Sequence, residues 1–318
     1  MGRSQAPDSV ESCTRETSEP SGPGRRLWRN RLAAAAGVVM LCAAGLVSVG
    51  PTAVAAVPTR GGAPLYISDY GNNRVVKLPA GGGPQITVPA TGLVRPTGMA
   101  LDAAGDLYIS DTGNNQVVKL PADGGPQTIV PTTGLLRPLG LVLSAGGDLY
   151  VADSFNDRVV KLPADGGPQT IVPTTGLLHP WGLALDRVGD LYISDFVNDR
   201  VVKVPADGSG QITVPAGGLS QPAGLALDRA GDLYISDTGN NRVVKVPADG
   251  SGQTTVPTNG LNDPLGLALD AAGNLYIADN YNNRVVKVTA DGGGQTTLPT
   301  NGLNGPTGLA IRPARRGW

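Results

Sequence analysis

Short runs in which apolar and polar residues alternate, four or five residues long and separated by Gly, Pro, Asn and Asp, fill the chain from Gly61 to Arg312. In the stretch Gly224–Leu261, Gly-Leu-Ala-Leu-Asp reads as one strand and Leu233–Ser236 as a second. Val243–Val246 reads as a third and Gln253–Val256 as a fourth, ended by Pro257. Asp228–Asp232 is a tight turn in which Gly231 takes a positive φ, Asp237–Arg242 is a polar loop, and Asp249-Gly250 is a hairpin signal. No apolar stripe recurs at helical spacing, which predicts almost no helix.

The same unit returns every 42 residues, with its Leu-Tyr core at Leu65, Leu107, Leu149, Leu191, Leu233 and Leu275. A period of about 40 to 45 residues carrying four short strands is that of a propeller blade. The predicted fold is all-β: a six-bladed β-propeller of four-stranded antiparallel blades. The repeats open on a second strand, at Leu65, and close on a lone first strand, Gly308–Arg312. Six complete blades therefore require the C-terminal strand to complete the first blade and close the ring, which removes exposed sheet edges.

Sequence outside the repeats adds a targeting expectation. Residues 1–31 form a polar, basic leader of disordered composition, with Arg25, Arg26, Arg29 and Arg31 ahead of the apolar run Leu32–Val49. Ala53-Val54-Ala55 supplies a small-x-small site, so residues 32–55 read as a signal peptide cut after Ala55, or else as a retained single-pass anchor with a cytoplasmic N-terminus. Either reading places the repeats outside the cytoplasm, secreted or membrane-anchored. Residues 56–60 are a linker, 61–312 the propeller and 313–318 a tail. Cys13 and Cys42 both precede the repeats, so the propeller has no disulfide, thiolate metal site or cysteine nucleophile. From Gly61 onward 22 Asp face 12 Arg and 6 Lys, and every Glu lies before residue 20. This mildly acidic balance argues against a nucleic-acid partner.

The units Gly-Leu-Ala-Leu-Asp … Leu-Tyr-Ile-Ser-Asp … Asn-Asn-Arg-Val-Val-Lys-Val resemble NHL repeats, and all six do so. The arrangement is similar to the extracytoplasmic sensor propellers of actinobacterial receptor Ser/Thr kinases. No Gly-rich loop with its Lys, no His-Arg-Asp and no Asp-Phe-Gly accompany it, so the resemblance implies binding rather than phosphorylation. NHL propellers of tripartite-motif ubiquitin ligases are similar too, but there are no RING cysteines here.

Rows present in every blade read as architecture. The Tyr row from Tyr66 to Tyr276 reads as interblade filling. The Asp row Asp69, Asp111, Asp153, Asp195, Asp237 and Asp279 reads as loop caps paired with Arg five residues on, with Gln116 as the exception. Information about function is expected where the copies differ. The loops after the second strand and those before the first strand share one face in a propeller. They carry Tyr70, Phe155, Phe196 and Tyr281, and Arg137, Leu139, His179 and Trp181. These eight are the candidate ligand- or partner-binding residues, concentrated in the third and fourth blades; clustered aromatics with Arg are the usual material of binding hot spots. Plugging of the channel mouth is the competing role for the same side chains. One His, no Glu and apolar first strands offer no obvious metal cage, so no cofactor, metal or catalytic residue is assigned. The expected function is non-catalytic binding or scaffolding of a protein or cell-envelope ligand by a monomer, touching a membrane only through an uncleaved anchor. The alternative is a propeller enzyme similar to streptogramin (virginiamycin B) lyase, using His179.

Overall fold

A computed structural model describes residues 62–80 and 82–312. The leader, the apolar segment, the linker and the tail lie outside the described residues. Among the described residues no helix is long and apolar enough to cross a membrane.

Six four-stranded antiparallel sheets form the blades, numbered here 1 to 6 by their second strands at Leu65, Leu107, Leu149, Leu191, Leu233 and Leu275. Blade 4 is representative: a first strand Pro180–Leu185, a second Leu191–Asp195, a third Arg200–Val204 and a fourth Ile212–Thr213. Ile193, Val201 and Val202 are fully buried, and the same three positions are buried in every blade. These residues make the cores between blades: Val159 of blade 3 packs with Leu183, Ile193 and Val202 of blade 4, and Tyr150 leans in from the side. Burying a Val, Leu or Ile side chain contributes about 1.5–3 kcal/mol, so the six interfaces carry most of the stability. The Tyr row is thus interblade filler, as the repeat predicted.

The fourth strands are shorter than expected. Five pair through two residues, and their side chains point to solvent, which leaves little exposed edge. The polar loop after the second strand is a single turn of 3₁₀-helix in each blade, such as Phe196–Asn198 in blade 4. A left-handed Asn or Asp ends it, Asp199 at φ 53° in that blade.

First strands line the centre of the ring and touch one another. At Gly98, Gly140, Gly182, Gly224, Gly266 and Gly308 an added Cβ would overlap the backbone carbonyl of the next blade's first strand. Only a residue without a side chain lets six strands approach this closely.

Closure follows the predicted phase. Strand Pro306–Ile311 pairs with Leu65–Asp69, with Leu65 opposite Ile311 and Ile67 opposite Leu309. Asn304 N–H donates to Asp69 Oδ1 at 2.7 Å, and Thr307 Oγ1 donates to the Pro96 carbonyl at 3.1 Å. The first and last described strands therefore lie side by side, the first starting at Leu65 and the last ending at Ile311 on the face opposite the 3₁₀ turns.

Candidate functional site

The 3₁₀-turn face is built on six buried aspartates. In blade 4, Asp195 Oδ1 accepts the Leu178 N–H at 2.7 Å, and Oδ2 accepts Arg200 Nε at 2.7 Å and Asn198 Nδ2 at 2.9 Å. Arg200 Nη2 then donates to the Gly176 carbonyl at 3.0 Å. Five blades repeat this hub, and in blade 2 Gln116 Nε2 donates to Asp111 Oδ2 at 2.8 Å. A buried carboxylate so fully hydrogen-bonded is structural, and it fixes the loop ahead of each first strand.

That loop ends in a row of left-handed residues: Arg95, Arg137, His179, Gln221, Asp263 and Gly305, at φ between 50° and 63°. Each N–H is held by an Asn or Asp of the preceding blade, as Arg137 N–H is by Asn115 Oδ1 at 2.8 Å and His179 N–H by Asp157 Oδ1 at 2.8 Å. A side chain at such φ costs roughly 1–2 kcal/mol, and Gly305 shows that the ring accepts glycine there. Five blades nevertheless keep polar or charged side chains there.

The structure brings five of the eight candidate residues together on blades 3 and 4. The Arg137 guanidinium stands 4.9 Å from the Phe155 ring centre, and the His179 imidazole lies against the same ring at 5.0 Å, tilted 52°. His179 Nδ1 is 3.2 Å from the Ser154 carbonyl oxygen and 3.8 Å from Asp157 Oδ1. Trp181 stacks on Phe196 with centres 4.9 Å apart and planes at 29°. Tyr70 belongs to a separate pair with Arg95 at 5.9 Å, and Tyr281 lies on blade 6, 49 % exposed.

Two expected contact residues lie beneath the surface. Phe196 is 6 % exposed and Leu139 5 % exposed. Each belongs to a row that faces inward: Thr112, Ser154 and Thr238 are buried at the Phe196 position, and Thr97 and Ala223 at the Leu139 position. In blade 2 these rows are joined by polar bonds, Thr97 Oγ1 to Thr112 Oγ1 at 2.6 Å and Thr112 Oγ1 to the Pro138 carbonyl at 2.7 Å. Blade 4 replaces that polar contact by the Trp181–Phe196 stack. Trp181 remains half-buried and Phe155 half-buried, so each presents part of its ring outward. The buried Ser154 hydroxyl beside this group has no hydrogen-bond partner among the described residues.

Sequence reading missed one row. Two positions before the first-strand proline stand Val94, Leu136 and Leu178 in blades 2 to 4, but Ser220, Asn262 and Asn304 in blades 5, 6 and 1. Val94 is 37 % and Leu136 42 % exposed. Their N–H groups occupy the aspartate hubs, which turns the side chains outward. A blade-by-blade comparison one residue further from the proline would have found them. With them, the loops ahead of the first strands divide the face in two: an apolar and cationic arc over blades 2 to 4, joined by the aromatics of blades 3 and 4, and a more polar arc over the rest, which also carries Tyr70 and Tyr281.

Fold and repeat geometry agree with comparison to known proteins, where the NHL repeat model matches residues 93–120, 219–246 and 261–288. The chain carries NHL repeats. No curated protein sequence matches it. Among solved structures it is similar to a propeller in the structure titled "Crystal structure of Nidogen/Laminin Complex", with TM-score 0.71 and 22% identity over 79% of this chain and 98% of that one. Streptogramin B lyase follows at TM-score 0.59 and 18% identity, over 80% and 88% of the two chains. Virginiamycin B lyase from Staphylococcus aureus has TM-score 0.57 and 15% identity, over 78% and 88%. At these identities the NHL propeller shares the fold with these proteins, and the fold alone.

Proposed function

We propose that this NHL propeller is a non-catalytic, extracytoplasmic binding or scaffold module that holds a protein or cell-envelope ligand on the arc over blades 2 to 4. One observation carries the reading: Val94, Leu136, Arg137, Phe155, His179 and Trp181 gather on three consecutive blades, while the other three blades present Ser220, Asn262 and Asn304 at the Leu136 row and Gln221, Asp263 and Gly305 at the Arg137 row, with Tyr281 of blade 6 at the Phe155 row. Apolar area concentrated on one sector of an otherwise polar face is a partner-binding pattern. Arg137 and His179 are already positioned on Phe155, so a partner meets an ordered surface and little side-chain freedom is lost on contact. The nidogen/laminin propeller, crystallised in a protein complex, supports protein binding by such rings in general.

The lyase-like alternative requires His179 to act with further polar or metal-binding groups. Its imidazole instead faces Phe155 and a backbone carbonyl. Among the described residues no three His, Cys, Asp or Glu side chains come together as a metal cage. The side chains at hand therefore support binding over lyase chemistry.

Capture from a cell-envelope fraction tests the proposal. The wild-type chain should retain a partner that Arg137→Ala and Leu136→Asp release and that Gln221→Ala, on the polar arc, keeps. Retention by all four proteins, or loss of capture on Gln221→Ala alone, sinks it.

A further inference from the structure

The opposite face has its own break in the repeat, in blade 1. Lys119, Lys161, Lys203 and Lys245 each stand 5.1–5.5 Å over the Tyr of their own blade. Each also pairs with an aspartate, Asp106, Asp148, Asp190 and Asp232 respectively. Lys77 and Lys287 stand over Tyr66 and Tyr276 in the same way, at 5.4 and 5.6 Å. At the aspartate position, however, their blades have Pro64 and Asn274. Among the described residues no carboxylate lies within ion-pair distance of either amine.

Blade 1 departs at two more positions. Arg312 stands where Asp102, Asp186, Asp228 and Asp270 stand in other blades. Gly81 stands where Asp123, Asp165, Asp207, Asp249 and Asp291 mark the hairpins. Every other blade carries at least two acids on this face, and blade 1 carries none. Arg312 Nη2 donates to the Ala103 and Ala104 carbonyls at 2.8 and 3.1 Å, which holds its charge against the edge of blade 2. Lys287, on the side of blade 6 that packs against blade 1, extends the same cationic arc.

This acid-free sector is also where the chain enters and leaves the ring, since Leu65 pairs with Ile311. The flanking sequence continues its character: no acid occurs from Pro20 to Ser68 or after Asp291, while Arg60, Arg315 and Arg316 do occur. The apolar run Leu32–Val49 precedes Arg60 in the sequence.

We propose that the blade 1 edge docks on an anionic phospholipid surface, with Lys77, Lys287 and Arg312 against the lipid phosphates. A cation near such a surface gains roughly fivefold in partitioning, and the attraction fades beyond a Debye length of about 8 Å. The acidic blades therefore favour an edge-on ring, with blade 1 at the surface and the others screened from it. Blade 4 lies across the ring from blade 1, so this posture holds the aromatic arc away from the lipid and open to a partner.

Vesicle sedimentation of the full chain tests this, comparing phosphatidylcholine vesicles with vesicles that also contain phosphatidylglycerol. The ratio of the two cancels any insertion of the apolar segment common to both. The wild type should prefer the anionic vesicles, and high salt should abolish the preference. Arg312→Asp introduces the acid that Asp102, Asp186 and Asp228 place near the lysines of blades 2, 4 and 5, and should lower the preference by about 25-fold. Arg229→Asp makes the same change in net charge on blade 5 and should leave it within about twofold. If Arg312→Asp melts early, the double variant Lys77→Gln, Lys287→Gln gives the same reading, because both side chains are partly exposed and make no ion pair among the described residues. Equal wild-type binding to both vesicles overturns the proposal, as does an equal loss in Arg229→Asp. Tight wild-type binding to soluble polyglutamate without binding to anionic vesicles also overturns it, and assigns the patch to an acidic polymer.

Discussion

Trp181→Ala separates a surface from a plug. Trp181 is half-buried, and its indole lies 4.9 Å from Phe196, which is itself 6 % exposed. Truncating a fully buried aromatic to Ala costs about 3–5 kcal/mol. Half-burial scales this to about 2 kcal/mol, of which about 1 kcal/mol is the ring stack itself. In a domain of this size that loss lowers Tm by about 4–8 °C. Urea unfolding followed by far-ultraviolet circular dichroism gives the midpoint without relying on the deleted fluorophore, and an unchanged m-value assigns the shift to stability. Phe196→Leu and the double variant complete a cycle whose coupling should be about 1 kcal/mol. A Trp181→Ala cost below about 0.5 kcal/mol with no coupling refutes the stack and leaves a free surface side chain. A cost of about 4 kcal/mol or more refutes the half-exposed reading, because a side chain that deeply inserted has no face left for a partner.

Gly182→Ala should cost about 3 kcal/mol or prevent folding, because its Cβ meets the Ala223 carbonyl of the next blade, whereas Gly217→Ala, with open space around it, should stay within about 0.5 kcal/mol by the same urea assay. Removing the chain from Asn304 onward deletes the strand that pairs with Leu65–Asp69 and should open the ring; a truncated protein that melts like the full chain would contradict the closure. Stability should also depend on pH at both extremes. Hydrogen bonds from Lys119, Lys161 and Lys245 hold Asp106, Asp148 and Asp232 below the usual carboxylate range, so their contribution is present at neutral pH and fades as pH falls below about 4. The same bonds raise Lys119 and Lys245, whose contribution is lost as pH rises past about 10.4. Urea midpoints against pH should show an acid limb that flattens when the three aspartates become Asn, and an unaltered limb counts against the assignment.

The period, the strand pattern and the offset phase were legible because they are local: alternation sets the strands, Gly and Asp set the turns, and repetition sets the number of blades. The buried Asp–Arg pairs were legible for the same reason, since both partners sit on one hairpin five residues apart. Contacts between blades were less so. Gly98 and its equivalents read as ordinary strand starts, and only the ring shows that each faces a carbonyl some forty residues away. Val94, Leu136 and Leu178 carry no local signal of their direction; the aspartate hubs claim their N–H groups and turn the side chains outward.

Sequence by itself determined the kind of ring and how it closes, because each blade is specified by residues close together in the chain. Tertiary structure alone decided which varying residues meet. Arg137, Phe155 and His179 come from three loops of two blades, and Trp181 reaches Phe196 across its own blade. Whether a side chain points out or packs beneath its neighbour depends on the adjoining blade, and no local pattern encodes that.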